Sequence, residues 1–220
     1  MIRFENVTKT FVMDGKRKTV MQDVSMTFPS GCSVGLLGRN GAGKSTLLKM
    51  IAGTEPVTSG KISSTGSISW PVGFAGSFHP ELSGAQNCRF IGRIYGVDTD
   101  ELIDFVEDFA GLGVHFHLPL KTYSSGMKSR LAFGASMGIA FDTYLVDEVT
   151  AVGDASFKSR SDALFKQRMR DAGSVVVSHS MNQIRQLCDA VVILEDGHLT
   201  FHDDVDRGIR EHEENMKRMG

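Results

Sequence analysis

Ser33-Val34-Gly35-Leu36-Leu37 runs straight into Gly38-Arg39-Asn40-Gly41-Ala42-Gly43-Lys44-Ser45-Thr46. The first five residues form a short apolar run ending at glycine. That pattern predicts a strand buried on both faces of a parallel sheet. Lys44 to Ala52 then carries apolar residues at helical spacing and stops at Gly53. Between strand and helix lies G-x-x-x-x-G-K-[ST], in the context the pattern requires. Gly38, Gly41 and Gly43 lack side chains, so backbone N–H groups can converge on phosphate oxygens. The helix N-terminus aims its dipole at the same anion. Lys44 suits the β- and γ-phosphates, and the Ser45 hydroxyl suits Mg²⁺. Arg39, Asn40, Ala42 and Thr46 complete the expected nucleotide-contacting set. The competing reading is a glycine-rich turn that merely lets a helix pack, and the flanking strand and helix weigh against it.

Outward from this stretch, strands and helices alternate, which predicts an α/β fold. Ile2–Val7 and Val20–Phe28 read as strands around a polar turn, Met13-Asp14-Gly15-Lys16-Arg17-Lys18. Thr143–Val146, Ser174–Val177 and Ala190–Leu194 read as buried strands, and Asp196-Gly197 as a hairpin turn. Phe157–Arg170 is amphipathic, with Phe157, Leu164, Phe165 and Met169 on one face. The middle, from Gly84 to Ala140, is helical in pattern instead. There Asp98 and Glu101 resemble a capping box, followed by Leu102, Phe105, Val106 and Phe109. The expected architecture is a P-loop NTPase core, a mixed sheet flanked by helices, with an antiparallel β segment and an inserted helical subdomain. Residues 1–83 and 141–205 make the core, 84–140 the helical subdomain and 206–220 a C-terminal helix.

The chain has 220 residues, enough for one domain with a substantial core, and 41% of them are hydrophobic. Lys and Arg number 24 against 26 Asp and Glu, so bulk positive charge is not a source of affinity for nucleic acid or lipid. Cys32, Cys88 and Cys188 are too few and too scattered for a disulfide framework, which predicts a reducing compartment. The start carries no secretory pattern and the longest apolar runs are too short for a bilayer. The expectation is a cytoplasmic protein that meets a membrane only through a partner.

Two carboxylates follow an apolar strand in Tyr144-Leu145-Val146-Asp147-Glu148. Ligands of open α/β sheets sit at the carboxyl ends of strands. Asp147 is the expected Mg²⁺ ligand, and Glu148 the general base or positioning group for an attacking water. Surface capping is the bland alternative for such a pair, and the phosphate cradle tips the balance. His179 ends the strand Val175-Val176-Val177 and either contacts a γ-phosphate or is an ordinary loop residue. His115 and His117 have no third ligand nearby to make a metal site.

Tyr123-Ser124-Ser125-Gly126-Met127-Lys128-Ser129-Arg130 resembles the signature motif of ABC ATPases, and it stands between the two Walker motifs as in that family. The resemblance implies ATP as ligand, Mg²⁺ as cofactor, and a head-to-tail homodimer that buries two nucleotides. Ser124, Ser125 and Gly126 of one copy would then face the γ-phosphate on the other; in an isolated copy they are a helix cap. By place in the pattern, Phe11 corresponds to an aromatic that stacks on adenine, with a plain core aromatic as the other reading. Asp154, in Ala151-Val152-Gly153-Asp154, would meet the second copy. The chain departs from the family in lacking a glutamine at the junction Trp70–Pro80, since Gln86 comes too late and belongs to the next helix. Ser125, Met127 and Val149 also replace the usual Gly, Gln and Pro.

These departures, with Ser69–Phe74, Phe78–Gly84 and Asp147–Asp154, make the chain similar to the ATP-binding subunits of bacterial capsular polysaccharide exporters. That likeness implies an ATPase under an integral membrane permease at the cytoplasmic side of the inner membrane, driving export of a lipid-linked polysaccharide. O-antigen ATPases usually carry a further C-terminal carbohydrate-binding domain, and at 220 residues the expectation is the capsule type. Other ABC transporter ATPases, of O-antigen, teichoic acid or small-molecule type, are the nearer alternatives. A non-transport ABC ATPase acting on nucleic acid or ribosomes is the alternative of another class, and no nucleic-acid partner is expected. In the family a permease helix docks in a groove, here expected to involve Phe74–Leu82, Arg89, Phe90 and Arg93, whose aromatics otherwise simply pack. Val205, Ile209, His212, Met216 and Met219 form one stripe of the C-terminal helix, which either lies on the core or makes a second dimer contact.

Overall fold

The computed structural model describes residues 1–74, 76, 78–147 and 155–218. The described residues fall into two compact units, one within the spans Met1–Pro71, Phe141–Glu148 and Met169–Gly220, the other within Val72–Ala140 and Val149–Arg168.

In the first unit, β1 (Ile2–Met13), β2 (Lys16–Phe28) and β4 (Ser59–Ser64) form an antiparallel sheet in the order β2-β1-β4. β1 and β2 run much further than the apolar pattern suggests. The polar turn shrinks to Asp14-Gly15, with φ 49° and 75°. Positive φ at both residues marks the two-residue hairpin whose twist matches its strands. Lys16, Arg17 and Lys18 pair with Met13, Val12 and Phe11. Charged side chains do not prevent strand formation where the ladder supplies the hydrogen bonds and the side chains reach water.

The second sheet has the order β5-β6-β7-β3-β8-β9, with β3 (Ser33–Leu37), β5 (Ile68–Pro71), β6 (Thr143–Asp147), β7 (Gly173–Val177), β8 (Ala190–Glu195) and β9 (His198–His202). All neighbours are parallel except β8 and β9, which form a hairpin at Asp196-Gly197. Every residue of β3 and β7 is buried, as a strand covered on both faces requires. α1 (Lys44–Ile51) contributes Leu47, Leu48, Met50 and Ile51 to a core shared with Phe4, Met21, Phe28, Leu36 and Val192. β4 escapes a hydrophobicity reading because it is short and polar, and β5 because it has only four residues and ends in proline. β5 is fixed to its neighbour in part by a side chain: Leu145 N donates to the buried Ser69 Oγ at 2.9 Å.

The second unit is helical, with α2 (Gly84–Tyr95), α3 (Thr99–Ala110) and α4 (Ser125–Gly138). Asp98 caps α3 by accepting from Asp100 N and Glu101 N. The reciprocal capping box stands instead at α2, between Ser83 and Gln86. Gln86 is thus the third residue of that helix and is engaged in its cap. Phe109 stacks between Phe105 and Phe133 at 5.8 and 5.9 Å and meets Phe157 at 5.3 Å. Gly138 keeps α4 close to α3, since a Cβ there would lie 2.6 Å from Leu102 Cδ1.

α5 (Ala155–Asp171) begins in this unit and ends in the first, burying Phe157, Ser161, Phe165 and Met169 along one stripe. α6 (Met181–Leu187) and α7 (Val205–Arg218) belong to the first unit. Among the described residues, no helix is long and apolar enough to cross a membrane.

Candidate functional site

The carboxyl end of β3 delivers Gly38 into a loop that closes at Gly43, the N-cap of α1 with φ 113°. Glycine is required there twice over. That φ is strained for any L side chain, and a Cβ at Gly43 would lie 1.9 Å from Val20 Cγ1. Gly38 also rests closely against β8, its notional Cβ 2.6 Å from the Leu194 carbonyl oxygen. Inside the loop, Ala42 N donates to Arg39 O at 3.1 Å.

Lys44 Nζ donates to Gly38 O at 2.7 Å and to Arg39 O at 3.1 Å. The loop therefore carries a cation at its centre, with the open N–H groups of the first turn of α1 beside it. That combination fits a polyphosphate. A cleft of about 690 Å³ opens over it, lined by Phe11, Met13, Lys18, Asn40, Gly41, Lys44, Ser45, Thr46 and His179. Its volume is in the range of small-molecule sites. Ser45 and His179 are exposed where they line the cleft.

Asp147 ends β6, in register with Val177 of β7, and His179 follows Val177 by two residues. Both therefore stand at the same sheet edge as the loop. A serine hydroxyl and a carboxylate are hard oxygen donors of the kind Mg²⁺ takes alongside phosphate oxygens and water. Among the described residues there is no cluster of three or more His, Cys, Asp and Glu. A magnesium ion held partly by phosphate does not need one. Glu148 and Asp154 lie outside the described residues.

Phe11 is half-buried, packs against the core cluster, and also lines the cleft, so the two sequence readings of it are compatible. The buried Lys9 places its Nζ 4.6 Å from the ring centroid and is itself paired with Glu55. Composition places Met13 and Lys18 in a turn, yet both line the cleft. Lys18 is the register partner of Phe11, and its Nζ lies 3.4 Å from Gly41 O. The signal that could have placed it is Asp14-Gly15, which fixes the hairpin register.

Ser124 is the N-cap of α4 in the second unit and accepts from Met127 N at 3.3 Å. Ser125 and Gly126 are the first residues of that helix, and Ser124 and Ser125 are exposed. Phe74 and Phe90 are each more than half exposed, while Arg89 pairs with Asp100 at 3.1 Å. His117 Nε2 lies 3.1 Å from Glu107 Oε1.

Sequence comparison matches residues 21–151 to the ABC transporter family. The polysialic acid transport ATP-binding protein KpsT of Escherichia coli is 47% identical, over 96% of this chain and 96% of its own. The capsule polysaccharide export ATP-binding protein CtrD of Neisseria meningitidis is 45% identical, over 94% of this chain and 96% of its own. In structure, the chain is similar to the ATP-binding cassette MJ0796, solved as a dimer in a post-hydrolysis state with ADP and Pi. The TM-score is 0.74 at 20% identity, covering 92% of this chain and 98% of that one.

Proposed function

The chain belongs to the ABC transporter family of ATP-binding subunits, and from that premise we propose that it is the ATPase of an exporter that drives a capsular polysaccharide across the bacterial inner membrane. The observation that carries this reading is the end-to-end likeness, at 45–47% identity, to two subunits named for polysialic acid transport and capsule export.

In this proposal the loop Gly38–Thr46 holds the triphosphate. Its N–H groups and the Lys44 ammonium neutralise charge on the β- and γ-phosphates. Phe11 offers a flat apolar face to the adenine, and Lys18 adds positive charge beside it. Ser45 and Asp147 would hold Mg²⁺, which would supply positive charge to offset that of the phosphates. Glu148 accepts a proton from the attacking water, and His179 donates a hydrogen bond on the γ-phosphate side. Ser124, Ser125 and Gly126 of a second copy close the site from the other side with a hydroxyl and helix N–H groups, and Asp154 touches that copy near its own site.

Binding thus favours a closed homodimer, and loss of the γ-phosphate removes the contact that holds it shut. An integral membrane permease docked near Phe74 and Phe90 would convert that cycle into movement of polymer. The subunit would sit at the cytoplasmic face, peripheral to the membrane. The test is replacement of the chromosomal gene by Lys44→Ala. Polymer should accumulate inside the cell and vanish from its surface; surface polymer at the normal level would refute the transport reading.

A further inference from the structure

Behind the phosphate loop lies a second space of about 240 Å³, bounded on one side by Gly38–Ala42 and on the other by His212, Asn215 and Met216 of α7. Part of the loop therefore faces α7 across a gap, while Gly38 rests directly on β8. α7 is seated on β8 by two buried residues, Gly208 and Ile209. A Cβ at Gly208 would lie 3.0 Å from Val191 Cβ, so the helix approaches the strand closely. Two turns further on, Asn215 Nδ2 donates to Glu195 Oε2 at 2.5 Å.

Glu195 immediately follows Leu194, whose carbonyl is the surface against which Gly38 rests. The same strand end is tied to β2, where Gln22 N donates to Gly197 O at 2.9 Å. We infer that α7 braces the phosphate loop and that Asn215 is a positioning residue for nucleotide binding, acting through Glu195 and the end of β8. The inference rests on the ATPase reading proposed above.

Two effects make the bond matter. A loop whose N–H groups must converge on phosphate binds more tightly when its backing cannot shift, because less ordering is left to the binding step. And Glu195 is an anion behind a loop that receives a polyanion. Asn215 supplies a neutral donor that holds this carboxylate in place without adding charge.

The experiment measures Kd and KM for ATP on the full chain, by calorimetry and steady-state hydrolysis. Asn215→Asp sets two carboxylates against each other and is expected to raise both constants about tenfold, with kcat changed less than twofold. The swapped pair, Asn215→Asp with Glu195→Gln, restores a donor and an acceptor and is expected to return both to within about threefold of wild type. A folded Asn215→Asp protein with wild-type KM overturns the brace, as does a swapped pair that stays tenfold impaired. If Asn215→Asp does not fold, Asn215→Ala carries the test: a raised KM with preserved kcat supports the brace, and an unchanged KM overturns it. A wild-type chain that neither binds nor hydrolyses ATP would instead refute the ATPase reading, a result separable from all of these.

Discussion

Lys44 and His179 line the same cleft and are expected to fail differently. The Lys44 ammonium is already centred on the loop by the carbonyls of Gly38 and Arg39, so no reorientation is needed to meet a phosphate. Lys44→Ala removes a charge-assisted contact to the phosphates, worth about 3 kcal/mol or roughly a hundredfold in Kd. Titration calorimetry with Mg-ATP checks this, and an unchanged Kd contradicts it. His179 is exposed at the end of a fully buried strand, so its loss leaves the core intact. His179→Ala should lower kcat about tenfold or more while KM for ATP moves less than threefold. Loss of binding without loss of kcat would place the residue elsewhere.

At the scale of elements, hydrophobic pattern and chemistry part company. β3, the loop and α1 are legible because the strand is wholly buried and because Gly38 and Gly43 are dictated by close contacts with Leu194 and Val20. The hairpin of β1 and β2 is only half legible, because ladder pairing carries Lys16, Arg17 and Lys18 into a strand that composition alone breaks. β4 is illegible for a similar reason, since pairing with β1 defines it, and β5 because it is only four residues long, held by pairing with β6 and by the Ser69 hydroxyl.

The helical unit shows the limit of a motif read without its loop. Asp98 does cap α3, but the reciprocal box belongs to Ser83 and Gln86 at α2. Behind it, Asn87 is buried and fully engaged. Its Nδ2 donates to the carbonyls of His79, Leu82 and Ser83, and its Oδ1 accepts from His79 N. A single polar side chain thus shapes residues 79–83, and nothing in the hydrophobic period announces it. Ser83→Ala should cost about 1 kcal/mol of stability. Asn87→Leu should cost more, about 2–4 kcal/mol, because it removes at once the hydrogen bonds to His79 N and to the His79, Leu82 and Ser83 carbonyls. Urea unfolding of the two variants tests the ranking, and equal costs would count against the role given to Asn87.

For the whole molecule, α7 makes stability depend on pH. The His212 imidazole is held below its ordinary pKa, first by burial and then by the Lys44 charge, against the opposing pull of Glu195 and Glu213. The unfolded chain therefore takes up this proton before the folded one does. Stability should fall as the pH drops from about 7 through the ordinary histidine value near 6.5 and down to the folded value. Asp142 and Asp204 are shifted the same way, Asp142 by hydrogen bonds from Ser67 and Asp204 by the Arg207 N–H, so their losses come only in the carboxylate range. Urea midpoints at pH 7.5 and 5.5 isolate the histidine. His212→Gln should flatten the difference, and an equal fall in wild type and variant would remove His212 as its source.

The cycle itself also operates at the scale of the whole molecule. A site that draws its cradle from one copy and Ser124–Gly126 from another is complete only in the dimer. Nucleotide that stays intact should therefore hold two chains together. Glu148→Gln keeps the size of the side chain but removes the carboxylate proposed to accept a proton from water. With Mg-ATP this variant should run as a dimer in light scattering, while the wild type returns to monomer as ATP is consumed. Adding Ser124→Arg to Glu148→Gln places a bulky cation at the α4 cap and should abolish that dimer while each copy still binds ATP. A dimer that survives the arginine, or a Glu148→Gln chain that stays monomeric in saturating Mg-ATP, would mean that the two copies do not complete each other's sites.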